Sequence, residues 1–226
     1  MDFKAGEIFA IDKPYRISSF GALAHVRYVL SRTLGYKVKI GHAGTLDPLA
    51  TGVLILCTGK ATKRIEEFQG QTKEYTATLQ LGVTTASYDM EHEVNASFPT
   101  EHITRELIND TLPQFIGDIE QIPPTYSAVK VNGDRAYELR RAGEEVKLKP
   151  KHIHIDEIEV VDFDVEKMQL SLRVVCGKGT YIRALARDLG RALNSGAYLT
   201  ALRRTRVGDF TIDRCLDYEH IREWIE

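Results

Sequence analysis

The chain has 226 residues, enough for one domain with an insertion, and its 43% hydrophobic and 27% charged content is that of an ordinary globular protein rather than a disordered or membrane chain. No apolar run approaches a membrane span, and Met1-Asp2-Phe3-Lys4 lacks the basic-then-apolar pattern of a secretory signal. The net charge of −2 gives no bulk attraction for nucleic acid, but the charges are unevenly laid out. Residues 85–122 hold eight acids and one base, 173–206 hold eight bases and one acid, and 130–151 hold seven bases and four acids. A fold that gathers the basic segments on one side would meet phosphates, although solvated surfaces give the same counts. Cys57, Cys176 and Cys215 have no metal-type spacing and read as reduced, mostly buried thiols of a cytoplasmic protein.

Residues 7–11 read as a strand ending at Asp12-Lys13-Pro14. Ser18 or Ser19 caps a helix whose Leu23, Val26, Leu30 and Leu34 fall at helical spacing, and Gly35 stops it. Residues 37–40 alternate and predict a short strand. It leads into Gly41-His42-Ala43-Gly44-Thr45-Leu46-Asp47-Pro48-Leu49-Ala50-Thr51-Gly52, a loop with three glycines and one carboxylate. Glycine permits positive φ and close backbone approach, and Pro48 biases Asp47 toward extended backbone. Asp47 is therefore expected at a stiff turn before a buried strand at 53–57. An isolated Asp-Pro reads first as an Asx turn; a rigid, glycine-framed loop with one acid reads as a site.

Thr58-Gly59-Lys60-Ala61-Thr62 has the wrong glycine spacing for a phosphate loop, and Ala61 replaces the required hydroxyl. Residues 61–68 read as a short helix ended by Gly70. Residues 73–82 alternate as a strand, with Tyr75 near its start, where a half-buried strand aromatic is the ordinary reading. Thr100 can cap a helix carrying Ile103 and Leu107. The prolines and glycines of 122–133 break regular structure, and 134–142 read as a helix stopped by Gly143. Residues 123–151 thus form a basic surface excursion.

His152 and His154 share one face of a strand running to Val161, and no third residue suggests a metal site. Met168, Leu170, Leu172 and Val174 alternate in the next strand. Residues 177–183 turn into a helix with Leu185, Leu189 and Leu193 as its stripe. Arg183 falls in the first turn, against the helix dipole, which suggests that an anion holds it. By themselves its pattern and that of Arg203, Arg204 and Arg206 read as a structural ion pair and a solvated turn. A strand at 209–212 and a helix at 216–225 close the chain.

The loop at 41–52 resembles, at every position, the Gly-His-x-Gly-Thr-Leu-Asp-Pro-x-Ala-x-Gly signature of the TruB family of tRNA pseudouridine synthases. Lys73-Glu74-Tyr75, Gly179-Thr180-Tyr181-Ile182-Arg183-Ala184-Leu185 and 202–208 resemble its further motifs. Pro123-Pro124-Thr125-Tyr126-Ser127-Ala128-Val129-Lys130 and Gly133-Asp134-Arg135-Ala136-Tyr137 resemble its RNA-binding thumb, the insertion at 123–151. The chain departs from the family at Arg16 and His92, where Gly is usual, and at Ala86, where Asp is usual.

The resemblance implies an α+β pseudouridine synthase fold: a mixed, mostly antiparallel central sheet flanked by helices, with the insertion. One catalytic domain over 1–226 is expected, without the further C-terminal RNA-binding (PUA) domain of longer relatives. The implied reaction isomerises uridine 55 in the T arm of tRNA to pseudouridine, with no cofactor and no metal. Asp47 would act at the anomeric carbon, Arg183 would pair with it, and Tyr75 would lie against the uracil. His42 would occupy space near the displaced base, and Tyr181 and Leu202 would line the uracil pocket. Lys130, Arg135, Arg140, Arg141 and Arg203 would bind RNA. The expected partner is tRNA through its T arm, and the enzyme is expected to be a cytoplasmic monomer. A tRNA-folding chaperone would share the RNA-binding features but would not need Asp47, Tyr75 and Arg183 intact.

Overall fold

The computed structural model describes residues 1–131 and 133–225, so Asn132 of the insertion and the terminal Glu226 lie outside the described residues. The chain divides into two compact units, Met1–Thr76 with Leu202–Glu226, and Ala77–Ala201, with both divisions falling inside strands.

The first unit begins with β1 (Ile8–Lys13) and α1 (Ser19–Leu34). Ser18 caps α1, its side chain accepting the Gly21 N–H at 3.0 Å, and Gly35 ends it at φ 73°. β2 (Ile40–Ala43) follows, then β3 (Ala50–Thr58), a 3₁₀ turn at Gly59–Arg64, α2 (Ile65–Gly70) and the start of β4 (Lys73–Leu81). β3 pairs antiparallel with β1 and β2 and parallel with the end of the later strand β12 (Ala197–Val207).

Both faces of β3 are buried, which explains its unbroken apolar run. Leu54 and Leu56 pack with Phe9, Ile11 and the Leu23-Val26-Leu30 stripe of α1. Val53, Ile55 and Cys57 pack with Ala43, Phe68 and Val207. Each buried aliphatic side chain contributes about 1.5–3 kcal/mol, so α1 is held to the strands chiefly by its apolar stripe.

The second unit adds β5 (Val83–Thr85) and β6 (Val94–Ser97), a hairpin, then α3 (Arg105–Thr111) and β7 (Gly117–Gln121). A smaller hairpin, β8 (Lys130–Val131) and β9 (Asp134–Arg135), leads into α4 (Ala136–Arg141). β10 (Lys151–Asp164), β11 (Gln169–Cys176) and α5 (Ile182–Ala192) complete it. β10 lies antiparallel between β11 and β7, with β4 on the far side of β11. After β12 the chain returns to the first unit with β13 (Phe210–Thr211) and α6 (Ile221–Ile225). Each unit is α+β, with mostly antiparallel strands and helices against them, as expected. Among the described residues no helix is long and apolar enough to cross a membrane.

Several boundaries differ from the sequence reading. The strand expected at 37–40 lies at Ile40–Ala43, because the Ser31 hydroxyl takes the Val38 N–H at 3.0 Å and holds that segment outside the sheet. Thr104, not Thr100, caps α3 by accepting the Leu107 N–H at 3.2 Å; Thr100 instead closes a turn with Ile103. Residues 202–207 belong to β12 rather than to a solvated turn, which begins at Gly208. The closing helix starts at Ile221, because Leu216 exchanges backbone hydrogen bonds with Ala10 and Asp12. The strand expected at 209–212 is only Phe210–Thr211, followed by a 3₁₀ turn. The helix expected at 134–142 is Ala136–Arg141, its first residues being spent on β9.

Candidate active site

Four of the sequence-predicted residues, His42, Asp47, Leu202 and Arg203, stand in or beside one loop of the first unit. The loop is braced through its backbone on both sides of Asp47. The buried Ser19 hydroxyl, at the start of α1, accepts the Leu46 N–H at 2.8 Å and donates to the Leu46 carbonyl at 3.0 Å. The Arg16 N–H donates to the Pro48 carbonyl at 2.8 Å, and the Ala50 N–H closes a turn on the Asp47 carbonyl at 3.0 Å. Lys13, fully buried, sends its ammonium to the carbonyls of Pro14 (2.9 Å), Ile17 (2.6 Å) and Pro48 (3.4 Å). Burial lowers the Lys13 pKa to about 8, opposed by the negative charge of Asp47. Asp47 itself is half-buried.

Arg16 stands where the family usually has Gly, and the backbone there is the left-handed one glycine favours, φ 65°. An arginine held there costs on the order of 1 kcal/mol. The conformation aims the Arg16 N–H at Pro48, so the loop's brace is kept and the side chain is left exposed.

The residue missed from sequence is Arg204. It is 1% exposed, and its guanidinium donates to the Val53 carbonyl at 2.8 Å and the Gly44 carbonyl at 3.0 Å, joining the two ends of the loop. Gly52 has φ 105°, and a Cβ there would collide with the Arg204 carbonyl across the parallel pairing of the two residues. His42, on β2, lies near this cation. Burial first and the charge of Arg204 second push its pKa below the ordinary value, so the ring is neutral at neutral pH. Leu202 pairs with Ala50 and Arg203 with Thr51. Arg203 bonds Asp12 at 2.7 Å and the Thr51 hydroxyl at 3.2 Å, so part of its charge is spent within the unit. Tyr75 is 8% exposed on β4, and the adjoining Glu74 accepts the Thr205 hydroxyl at 2.8 Å.

Arg183 and Tyr181 belong to the second unit. Arg183 is 4% exposed in the first turn of α5, donating to the carbonyls of Ser87 (3.2 Å) and Tyr126 (2.9 Å). Its Nε lies 3.7 Å from the carboxylate of Asp89, which is 6% exposed. Asp89 also accepts the Ser87 hydroxyl at 2.5 Å and the Glu91 N–H at 2.9 Å. The unfavourable dipole position of Arg183 is thus offset by a buried carboxylate that sequence reasoning passed over. Tyr181 caps α5 and is gripped by Gln121, whose amide accepts the Tyr181 N–H at 2.9 Å and donates to its carbonyl at 3.2 Å.

The insertion packs within the second unit. His92, another departure from the family, lays its ring 4.5 Å from that of Tyr126, whose carbonyl receives Arg183. Arg140 lies over the Tyr126 ring at 5.8 Å, and Arg141 pairs with Glu91 at 2.8 Å. Lys130 and Arg135 face each other across the small hairpin. His152 and His154 are near carboxylates on β7, Glu120 at 3.7 Å and Asp118 at 2.8 Å. Cys57 and Cys176 are buried and Cys215 partly so, none of them in a disulfide among the described residues; burial pushes Cys57 to about 11 and Cys215 to about 12.

The family model for the TruB family pseudouridylate synthase N-terminal domain matches residues 31–182, and that for the tRNA pseudouridylate synthase B C-terminal domain matches 183–226. The tRNA pseudouridine synthase B of Bacteroides thetaiotaomicron is 62% identical over 229 residues, covering 100% of this chain and 95% of its own length. That of Parabacteroides distasonis is 59% identical over 227 residues, covering 100% and 96%. Among solved structures, a chain in a Cbf5-Nop10-Gar1 complex matches with a TM-score of 0.72 at 28% identity. The match covers 99% of this chain and 56% of that one, so the chain spans about half the length of this structural relative.

Proposed function

The chain belongs to the TruB family of pseudouridylate synthases, and from that premise we propose that it isomerises uridine 55 in the T arm of tRNA to pseudouridine. The reaction detaches uracil from the ribose, turns it and rejoins it through C5. It needs a carboxylate held near the anomeric carbon, able to act as nucleophile or base. The observation that carries this reading is the brace around Asp47: Ser19, Arg16, Lys13 and Arg204 hold the flanking backbone, so a single acid is presented at a fixed place. Such fixing supports catalysis because a misplaced reacting group loses much of the gain from proximity.

Asp47 acts on the sugar, Arg183 pairs with it and orients it, and Tyr75 lies against the uracil. Neutral His42 fills space by the displaced base without adding charge, and Tyr181 and Leu202 line the pocket. A uridine inside a folded arm must be extruded to reach Asp47. Lys130, Arg135, Arg140, Arg141 and Arg203 contact the RNA, and the protein works as a monomer in the cytoplasm. The test is mass-resolved detection of pseudouridine in an unmodified tRNA transcript after incubation with the protein. Pseudouridine at position 55 is expected, and its absence with a folded protein would overturn the reading.

A further inference from the structure

We infer that the exposed face of α1, together with Arg16, is a second RNA-contact surface that tracks the phosphate backbone of the substrate away from the Asp47 loop. The inference rests on the reading that the chain acts on tRNA. Residues 13–46 contain six Lys and Arg and no Asp or Glu. On α1 the buried side is Ser19, Ala22, Leu23, Val26 and Leu30. The remaining surface carries Phe20 (66% exposed), the half-buried Arg27, Tyr28 (61% exposed) and the exposed Arg32, continuing the exposed Tyr15 and Arg16. Among the described residues none of Arg16, Arg27 and Arg32 is paired with a carboxylate, whereas Arg141, Arg183 and Arg203 are. Arg16 lies over the Tyr15 ring at 5.4 Å and Arg32 over the Tyr28 ring at 5.8 Å.

Interleaved guanidinium groups and aromatic rings on a segment that carries no acid of its own suit phosphates and exposed bases. The face begins at the loop, because Ser19 and Arg16 bond Leu46 and Pro48 directly. A 16-residue helix then carries it about 24 Å outward. At the far end Tyr28, Arg32 and Thr33 line a recess of about 410 Å³ with Val29 and Arg222. Arg16 is the most telling member. The backbone there asks for glycine, and an exposed arginine is held in a disfavoured conformation at the mouth of the loop. A second copy of the chain is a poorer occupant, since a two-fold contact would set these cations against themselves.

The test uses the full chain and a tRNA transcript. Binding is followed by fluorescence anisotropy over a range of salt concentrations, and turnover is measured at saturating tRNA. For the triple variant Arg16→Gln, Arg27→Gln, Arg32→Gln we expect the dissociation constant to rise roughly tenfold or more. The log–log salt slope should fall by roughly 2 to 3, and the double variant Arg27→Gln, Arg32→Gln, which leaves the loop's brace alone, should keep the wild-type kcat. Phe20→Ala with Tyr28→Ala should weaken binding without moving the slope. Arg16→Gly, which suits the backbone, should melt no lower than wild type and still bind more weakly. Unchanged affinity and slope in the triple variant would overturn the inference. So would a wild-type dimer at micromolar concentration that the aromatic variant dissolves. If the wild type bound tRNA through this face but formed no pseudouridine, the proposed function would fail and the surface would stand. If it formed pseudouridine and the triple variant bound normally, the surface alone would fail.

Discussion

The Asp47 loop and the setting of Arg183 are built by opposite means. Around Asp47 the structure fixes backbone: Leu46, Pro48 and Ala50 are each hydrogen-bonded, and Arg204 ties Gly44 to Val53. Around Arg183 it fixes the functional group itself, by two carbonyls and the buried Asp89. A short carboxylate side chain is placed once its backbone is placed. A long arginine is not, and its guanidinium needs partners of its own. It follows that removing the carboxylate should cost activity with little stability, while removing the guanidinium should cost both.

The largest effect is expected from Asp47→Asn. Turnover should fall to less than about a hundredth of wild type, as the loss of a nucleophile or base demands. Affinity for tRNA should stay close to wild type and melting should fall only slightly, by the charge that Asp47 offers the buried Lys13, because Asn keeps the backbone bonds that brace the loop. Pseudouridine formation in single-turnover mixtures measures the first and anisotropy the second. A variant that melts well below wild type would break the contrast.

Arg183→Lys comes next. Lysine keeps the charge but cannot reach the Ser87 and Tyr126 carbonyls and Asp89 together, so turnover should drop tenfold or more by rough estimate. Arg183→Met leaves Asp89 buried without its cation and should destabilise by about 3–5 kcal/mol, read by urea unfolding. The Asp47→Asn, Arg183→Lys double variant should lose no more than Asp47→Asn alone, as expected of two groups proposed to act as a unit. Additive losses would refute the pairing.

Arg204→Met sharpens the comparison within the first unit. It removes the bonds to Gly44 and Val53 and should destabilise by about 3 kcal/mol, while lowering kcat more than tRNA affinity. This is also the residue that shows where sequence reading stops. The glycine-framed loop was legible, because Gly41, Gly44 and Gly52 around one acid leave few structural alternatives, and α1 was legible from its caps and stripe. Arg203, Arg204 and Arg206 look alike in sequence, and only the carbonyls of Gly44 and Val53, some 150 residues away in the chain, select Arg204 for burial. Asp89 and Gln121 were hidden for the same reason. Their partners are a distant arginine and the backbone of Tyr181. β7 was missed because Gly117-Asp118-Ile119-Glu120-Gln121 lies at a sheet edge and carries no apolar alternation.

Lys13 supplies a pH-dependent version of the same contrast. Its pKa is about 8 when folded against 10.5 for the free side chain, so between these values the unfolded chain binds the extra proton. Stability from this group is therefore lowest below pH 8 and rises toward pH 10.5, by about 3 kcal/mol in all. Urea unfolding of the wild type against Lys13→Met between pH 7.5 and 10 should show the difference growing in favour of the wild type. A constant difference would mean Lys13 is not perturbed. Asp47→Asn should move the transition to lower pH, because its carboxylate is what raises the lysine toward its ordinary value.

The smallest effect concerns two adjacent arginines of the insertion. Arg141 is paired with Glu91 at 2.8 Å, with both side chains well exposed, whereas Arg140 lies over the Tyr126 ring. An exposed pair of this kind contributes on the order of 0.5 kcal/mol, so a phosphate can compete for Arg141 only at that cost. Arg140→Gln should therefore reduce the salt slope of tRNA binding by about one unit, the value for one lost phosphate contact, and Arg141→Gln by less. Glu91→Gln is the discriminating variant. It frees Arg141 and removes a nearby negative charge, so tRNA should bind about two- to threefold more tightly. Asp89 keeps the Glu91 backbone N–H, which the substitution does not touch, so the setting of Arg183 and the turnover rate should be unaltered. If Glu91→Gln left affinity unchanged while Arg140→Gln lowered the slope, Arg140 would touch RNA and Arg141 would not. The insertion would then present one cation rather than two.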